Sequence, residues 1–256
     1  NIIFLAAAKV GGILANNNYP VNFIEDNLLI SLNVIRSSYL NKIEKLIYLG
    51  SSCIYPKGLE KPITEDLILS GPLESTNQWY SIAKISGMKV CQAYRKQYSC
   101  DFITLLPSNL YGPGDNFSKK NSHVPAALID RFHCAKEKKN KNVIVWGSGK
   151  PLREFLYVDD MAEASVFLAE NYSSIDPINI GTGKEISIKE FAKLIQKTVN
   201  YNGKIVFDKT KPDGVYRKLL NVKKINKLGW FAKTSVEMGL KKYYKWYLDN
   251  LDNIRR

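Results

Sequence analysis

The fold is decided by Leu46-Ile47-Tyr48-Leu49-Gly50-Ser51-Ser52-Cys53, which is followed after a polar loop by Tyr80-Ser81-Ile82-Ala83-Lys84. A short apolar run that ends in glycine and hydroxyl residues is typical of a buried parallel strand, and open α/β sheets bind ligands at the carboxyl ends of such strands. Tyr80 and Lys84 are four residues apart in a predicted helix, so their side chains lie on one face. Together these residues predict a Ser-Tyr-Lys site that transfers a hydride and a proton.

A tyrosine followed four residues later by a lysine is a weak signal by itself. The chain has 15 tyrosines among its 256 residues and is rich in lysine, so about two such pairs are expected by chance. The context favours a functional pair, because this one opens a helix after a strand that ends in Ser-Ser-Cys. An ordinary pair on a helix surface is the alternative.

Strand-like and helix-like segments alternate along the chain, which predicts an α/β fold with a doubly wound, Rossmann-like parallel sheet. The predicted strands lie at 1–8, 46–49, 101–106, 143–146, 178–181 and 205–207, and the predicted helices at 20–39, 80–98, 123–138, 159–170, 187–199 and 235–250.

Five segments of characteristic sequence occur in order along the chain. They are Ala6 to Gly12, Gly50 to Pro56, Pro107 to Pro113, Asn121 to Val124, and Arg153 to Phe155. With this combination the chain resembles the GDP-L-fucose synthases, which are epimerase-reductases of the extended short-chain dehydrogenase/reductase family. The resemblance runs from the first residue to about Trp230.

The resemblance implies an enzyme that converts GDP-4-keto-6-deoxy-D-mannose to GDP-L-fucose, by epimerisation at C3 and C5 and NADPH-dependent reduction at C4. It implies a remnant of the dinucleotide-binding domain at 1–113 and 154–181, and a smaller α/β substrate-binding domain at 114–153 and 182–256. It also implies a homodimer whose contact is made by the helices at 20–39 and 80–98, where Ile82, Ile85 and Tyr94 are candidates for the interface.

Reduction of a ketone leaves an alkoxide that must be protonated, and we assign Tyr80 as the proton donor. A phenol has an ordinary pKa of about 10 and needs a neighbouring charge to act near neutral pH. The resemblance implies that Lys84 lowers the phenol pKa and also holds the nicotinamide ribose. Ser51 is expected to donate a hydrogen bond to the carbonyl oxygen.

Epimerisation beside a carbonyl requires a base on one face of the carbon and an acid on the other. Thiol and imidazole groups suit these roles because both titrate near neutral pH after modest shifts. By resemblance, Cys53 is the base and His123 the acid. The alternatives are a buried structural cysteine and a histidine that caps the helix beginning beside it.

The resemblance also implies further binding residues. Those for the cofactor are Ala7, Tyr80, Lys84, Pro107, Asn109, Leu110 and His123, and those for the substrate are Asn109, Arg131, Trp146 and Arg153. Arg153 suits a diphosphate because a guanidinium makes bidentate contacts. The alternatives are a turn-capping Asn109, an Arg153 salt bridge to Glu154 or Asp159, and an Arg131 that is merely exposed.

The beginning of the chain lacks the glycine-rich turn that binds a dinucleotide pyrophosphate at a helix N-terminus. The resemblance therefore implies that about the first two βα units are absent. We expect the chain to be a fragment, inactive alone, of an intact enzyme.

The net charge of +13 invites a nucleic-acid interpretation. The excess is lysine scattered along the chain, so we expect no nucleic-acid partner. The four cysteines show neither metal-ligand spacing nor a disulfide framework, and no apolar run is long enough to span a membrane. These features predict a cytoplasmic protein with no metal and no membrane partner.

Two other functions stay open at this point. The first is another nucleotide-sugar enzyme of the same extended family, a 4-epimerase or a dehydratase, which would share Tyr80 and Lys84 but would not need Cys53 and His123 together. The second is a non-catalytic protein that binds a nucleotide-sugar. The absence of the phosphate-binding loop favours this alternative.

Overall fold

The computed structural model describes residues 1–118, 122–211 and 213–255, and only the backbone of residues 13 and 14. Asn121 of the predicted motif lies outside the described residues. The strands are β1 Ile2–Leu5, β2 Lys45–Leu49, β3 Asp101–Pro107, β4 Asn109–Tyr111, β5 Asn142–Trp146, β6 Leu152–Arg153, β7 Phe155–Tyr157, β8 Ile178–Ile180, β9 Ile186–Ser187, β10 Lys204–Asp208 and β11 Arg217–Lys218. The helices are α1 Ile13–Asn18, α2 Pro20–Leu40, α3 Gln78–Tyr98, α4 Val124–Glu137, α5 Val158–Asn171, α6 Ile188–Val199, α7 Lys223–Lys227 and α8 Val236–Asp249.

The main sheet has four parallel strands in the order β1-β2-β3-β8. In β2 the consecutive residues Leu46, Ile47 and Tyr48 are all fully buried, although alternate side chains of a strand point to opposite faces. Both faces are therefore covered, with α2 and α3 packed together on one face and α5 on the other. This arrangement confirms the predicted α/β, doubly wound fold class.

Gly87 in α3 lets the helix approach β2 closely. A Cβ atom at this position would lie 2.3 Å from the hydroxyl oxygen of the buried Tyr48. That hydroxyl donates to the Lys84 carbonyl over 3.4 Å and lies 3.3 Å from the Ser31 hydroxyl of α2. The tyrosine thus joins β2 to the two helices directly beneath the predicted site.

A second apolar core lies beyond the main sheet, among α4, α6, α8 and the strand pair β5-β10. Two smaller groupings connect the cores: the parallel pair β4-β7, and a three-stranded sheet in which β6 pairs with β11 and β9. The predicted domain boundaries at 113, 153 and 181 stay a prediction.

The predicted helices and strands are present with small shifts of their ends. Helix α6 begins with a capping box, in which the Ser187 hydroxyl accepts from the Glu190 amide over 3.1 Å and the Glu190 carboxylate accepts from the Ser187 amide, also over 3.1 Å. Within the described ranges, no helix combines the length and the apolar character needed to cross a bilayer.

Candidate active site

A cavity of about 470 Å³ lies at the carboxyl ends of β2 and β3. Its wall contains predicted residues from distant parts of the sequence. They are Ser51, Cys53, Tyr80, Lys84, Pro107, Asn109, Leu110, His123 and Arg153. The cavity therefore lies at the edge of the sheet where the sequence predicts the active site.

The turn after β2 holds Ser51 and Cys53 in place. The Ser51 hydroxyl oxygen accepts a hydrogen bond from the Cys53 amide over 3.1 Å, which caps a short 3₁₀ helix at residues 52–54. Ser81 on α3 donates its hydroxyl to the Cys53 carbonyl over 2.8 Å. This bond joins the turn to the first turn of the helix that carries Tyr80.

Lys84 is 3% exposed and its ammonium donates to the Leu49 carbonyl at the end of β2 over 2.8 Å. The same nitrogen lies 5.9 Å from the centre of the Tyr80 ring. Because burial penalises a charge, the pKa of Lys84 is lowered to about 8. The ammonium is therefore fixed beneath Tyr80 and titrates close to physiological pH.

Lys84 was expected to lower the pKa of Tyr80, but in this structure the phenol pKa is raised above its ordinary value. Desolvation is the main cause, a negative charge on Cys53 would act in the same direction, and the hydrogen bond with Ser51 opposes both. The Lys84 ammonium, which donates to the Leu49 carbonyl, does not outweigh the loss of hydration at the phenol. The phenol is protonated at neutral pH, the form that a proton donor needs.

The effect of the buried Lys84 charge on stability can be measured by comparing the wild type with the Lys84→Met variant. Native Lys84 releases its proton near pH 8, whereas in the unfolded chain it keeps the proton until its ordinary pKa of 10.5. Between these values the free energy of unfolding of the wild type rises with pH, relative to the variant. We expect a gain of roughly 2 kcal/mol between pH 8 and pH 10. Urea titrations of both proteins at pH 8 and pH 10 measure this gain. A difference in unfolding free energy between wild type and variant that is the same at both pH values would contradict the prediction.

Two cations adjoin Cys53. The Lys218 ammonium donates to its sulfur over 3.7 Å, and the sulfur is close enough to Arg153 to interact with its charge. Burial lowers the pKa of Arg153, and Asp213 and Cys53 oppose this. A half-buried thiol beside positive charge is the setting in which cysteines are reactive, so burial as an inert structural residue does not describe Cys53.

His123 is exposed at the cavity wall, at the N-cap position of α4. Its side chain makes no capping hydrogen bond to the helix, so the capping alternative is not what the structure shows. Asp115 lines the same cavity and accepts from the Tyr243 hydroxyl over 3.1 Å. Burial raises the pKa of Asp115, and the positive charge of His123 is among the effects that oppose this.

The predicted alternatives for Asn109 and Arg153 are not observed. The Asn109 amide donates to the Glu154 carbonyl over 2.9 Å and caps no turn. The Glu154 carboxylate accepts from the Gly183 and Leu220 amides, over 2.7 and 2.8 Å. Within the described part of the chain no carboxylate forms a salt bridge with Arg153, whose guanidinium donates to the Leu152 carbonyl over 2.7 Å.

Three predicted binding residues do not line the cavity. Ala7 is exposed between Ala6 and Ala8, which do line it. Arg131 lies with its guanidinium 5.0 Å from the centre of the Trp146 ring and donates to the Ile144 carbonyl over 3.3 Å. Arg131 and Trp146 thus form one cationic and aromatic surface outside the cavity.

Sequence reasoning missed Lys218, Asp115 and two polar residues of the cavity wall, Ser108 and Asn16. Ser108 is 6% exposed, and among the described residues its hydroxyl has no hydrogen-bond partner. The side-chain oxygen of Asn16 is likewise buried without a described partner. The position of Ser108 beside Asn109, at the end of β3, could have identified it as a site residue. No local sequence pattern identifies Lys218.

Comparison with known proteins gives concordant results. Residues 1–181 match the NAD dependent epimerase/dehydratase family. The chain is 55% identical over 97% of its length to a putative GDP-L-fucose synthase 2 of Arabidopsis thaliana, of which it covers 76%. It is 49% identical over 99% of its length to the GDP-L-fucose synthase of Escherichia coli K12, of which it covers 82%.

A solved structure of a GDP-L-fucose synthetase from Naegleria fowleri bound to NADP is similar throughout. It superposes with a TM-score of 0.91 at 32% identity, and the match covers 100% of this chain and 78% of that one.

Proposed function

Because this chain belongs to the NAD dependent epimerase/dehydratase family, and within it to the GDP-L-fucose synthases, we propose that its cavity performs both the epimerisation and the reduction that form GDP-L-fucose. The predicted function is confirmed at the level of the enzyme: it is an NADP-dependent epimerase-reductase that acts on a GDP-sugar. The roles of individual residues in the two steps are part of the proposal.

The observation that carries the proposal is the meeting of two sets of residues in one cavity. Ser51, Tyr80 and Lys84 suffice for hydride chemistry at a carbonyl, whereas Cys53 and His123 are additional proton-transfer groups. A 4-epimerase or dehydratase would need only the first set. The second set favours inversion of carbons beside a carbonyl before reduction.

The residues present fit the nicotinamide end of NADP(H). The buried Ser108 hydroxyl and the Asn16 side-chain oxygen have no described partners, and both residues line the cavity that Lys84 also lines. A ligand that carries hydroxyl and amide groups satisfies such atoms. When bound, the cofactor supplies the hydride for the reduction.

For epimerisation, Cys53 takes a proton from a carbon beside the C4 carbonyl, and His123 returns a proton to the opposite face. Ser51 donates a hydrogen bond to the carbonyl oxygen, which stabilises the negative charge that develops there. For reduction, Tyr80 donates its phenolic proton to the same oxygen as it becomes a hydroxyl. Lys84 stabilises the tyrosinate that remains.

The diphosphate of the substrate is bound by Arg153, which lines the cavity and forms no salt bridge with a described carboxylate. Arg131 and Trp146 bind a more distant part of the nucleotide. In support, the guanidinium over an exposed indole ring offers both charge and a flat apolar surface. Asn109 contributes to the sugar and cofactor sites, together with the backbone of Pro107 and Leu110.

The function is tested by supplying the full-length protein with GDP-4-keto-6-deoxy-mannose and NADPH in deuterated water. We expect NADPH oxidation and a GDP-L-fucose product labelled at C3 and C5. An unlabelled reduced product that retains the original configuration would overturn the epimerase step. Product formed without NADPH consumption would overturn the reductase step.

We also propose that the protein forms a homodimer through α2 and α3. The two helices pack together and expose large apolar side chains, among them Val21 and Leu32 on α2 and Trp79 and Ile82 on α3, which we call the apolar stripe. Exposed apolar area is typical of protein interfaces. Ile85 is 7% exposed and belongs to the core, and Tyr94 packs on Tyr39 and Phe102.

A charge placed in the stripe should separate the protomers. We expect the Leu32→Glu/Ile82→Glu variant to elute as a monomer of about 29.1 kDa at micromolar concentration, where the wild type has twice that mass, because each buried glutamate would lack a partner. Light scattering after gel filtration measures the mass. Val166→Glu, at an equally exposed apolar position on α5, is the control and should stay dimeric. A monomeric wild type would overturn the proposal.

A cytoplasmic location is part of the same proposal. Within the described residues none of the four cysteines forms a disulfide, which suits a reducing compartment.

A further inference from the structure

The Lys218 ammonium donates to the sulfur of Cys53 over 3.7 Å. It does not line the cavity, whereas Cys53 does. In this position the ammonium contacts the thiol directly. Its effect on the reaction would therefore pass through the sulfur.

The strand that carries Lys218 is anchored on several sides. Arg217 makes a bidentate salt bridge with Glu185, over 2.7 and 2.8 Å, and also donates to the Glu60 carbonyl. Lys218 itself is in register with Arg153 on the parallel neighbour β6. Leu219 and Asn221, which follow, pair with the backbone of Ile63 over 2.8 Å each. The lysine is thus held by a backbone with little freedom to move.

Positive charge lies on two sides of the Cys53 sulfur. Lys218 and Arg153 approach it with positive charge, while the phenol of Tyr80 is protonated and neutral at pH 7. Among the residues that the structure describes, no carboxylate forms a salt bridge with Lys218. The ammonium is therefore not already neutralised, and its field acts on the sulfur.

We propose that Lys218 is a positioning residue for the epimerisation, which holds Cys53 as a thiolate so that the sulfur can act as the base. In the step it supports, an S–H bond forms as a C–H bond beside the carbonyl breaks, and the electron pair of that bond passes into the enolate. Lys218 keeps its own proton throughout. The role in epimerisation rests on the function proposed above, whereas the effect on the thiol does not.

The experiment measures the rate at which iodoacetamide alkylates Cys53 at pH 7, by mass spectrometry of the peptide that contains it. Because the thiolate is the nucleophile, we expect the rate to fall about tenfold in Lys218→Met and to be largely restored in Lys218→Arg, which keeps the charge. Lys223→Met, at an exposed lysine on the adjacent α7, is the matched control and should match the wild type.

Two other cysteines report on the integrity of the variants. Cys91 is 1% exposed and burial raises its pKa to about 12, so it is alkylated only if the fold is lost. Cys100 lies away from the cavity and should react at an unchanged rate. If Lys218→Met disturbs Cys91, the comparison is made with Lys218→Gln and Lys218→Arg, which differ mainly in charge.

A second readout is solvent-deuterium incorporation into GDP-4-keto-6-deoxy-mannose. We expect the maximal exchange rate to fall about tenfold in Lys218→Met while the KM for the substrate changes less than twofold. Equal alkylation of Cys53 in the wild type and in a folded Lys218→Met would overturn the proposal. Slower alkylation in a protein whose wild type exchanges no deuterium would instead support the thiolate contact and overturn the proposed function.

Discussion

Tyr80→Phe is expected to lower the rate of ketone reduction by about 10²- to 10⁴-fold, the range typical of a lost general acid. The phenol lies in the cavity wall next to Ser51, and its raised pKa keeps the proton on the oxygen until transfer is required. Phenylalanine preserves the ring and its packing but has no proton to give. The fall should appear in NADPH oxidation at saturating substrate, with little change in KM.

Solvent-deuterium exchange at C3 and C5 is the control within the same variant. Since Cys53 and His123 perform that exchange, Tyr80→Phe should retain most of it. Equal losses of exchange and reduction would mean that Tyr80 organises the whole site and does not specifically donate a proton. Ser81→Ala would then be examined, because Ser81 donates to the Cys53 carbonyl and joins the two parts of the site.

The second large effect is expected for Cys53→Ser, with deuterium incorporation reduced by about 10²- to 10⁴-fold. A serine hydroxyl is far less acidic than a thiol, so the contact with Lys218 cannot produce an effective anion at neutral pH. The measurement is mass spectrometry of the sugar nucleotide after incubation in deuterated water without NADPH.

Reduction of the already epimerised 4-keto sugar should be partly retained in Cys53→Ser, since Ser51, Tyr80 and Lys84 are unchanged. His123→Asn offers a matched comparison: removal of the acid should also suppress inversion, while the base still exchanges the proton that it abstracts itself. Undiminished exchange in Cys53→Ser would remove the thiol from the mechanism.

The strand, the turn and the helix of the active site were predictable because their signals are local. The apolar run Leu46 to Leu49, the hydroxyl and thiol residues after it, and the spacing of Tyr80 and Lys84 all lie within forty residues. The remaining helices and strands follow in the same way from periodicity and capping residues, of which Ser187 with Glu190 is the clearest case.

The rest depends on contacts between distant segments, for which one sequence contains no local signal. Glu154 was expected to compete for Arg153, yet it is fully buried and accepts from two backbone amides of separate loops. The rise in the pKa of Tyr80 also escaped prediction, since it depends on how completely the fold removes water from the phenol. Lys218 could be placed beside Cys53 only after the pairing of β11 with β6 was known.

The contact between Lys218 and Cys53 also has a consequence for the life of the newly made chain, because the two residues are 165 positions apart. At 5–20 residues per second, a ribosome needs roughly ten to thirty seconds to travel from one to the other. During that interval the nascent thiol has no Lys218 ammonium beside it, and the activation proposed above cannot yet operate. The proposed base is therefore completed late, by a residue that is synthesised after all the residues that line the cavity.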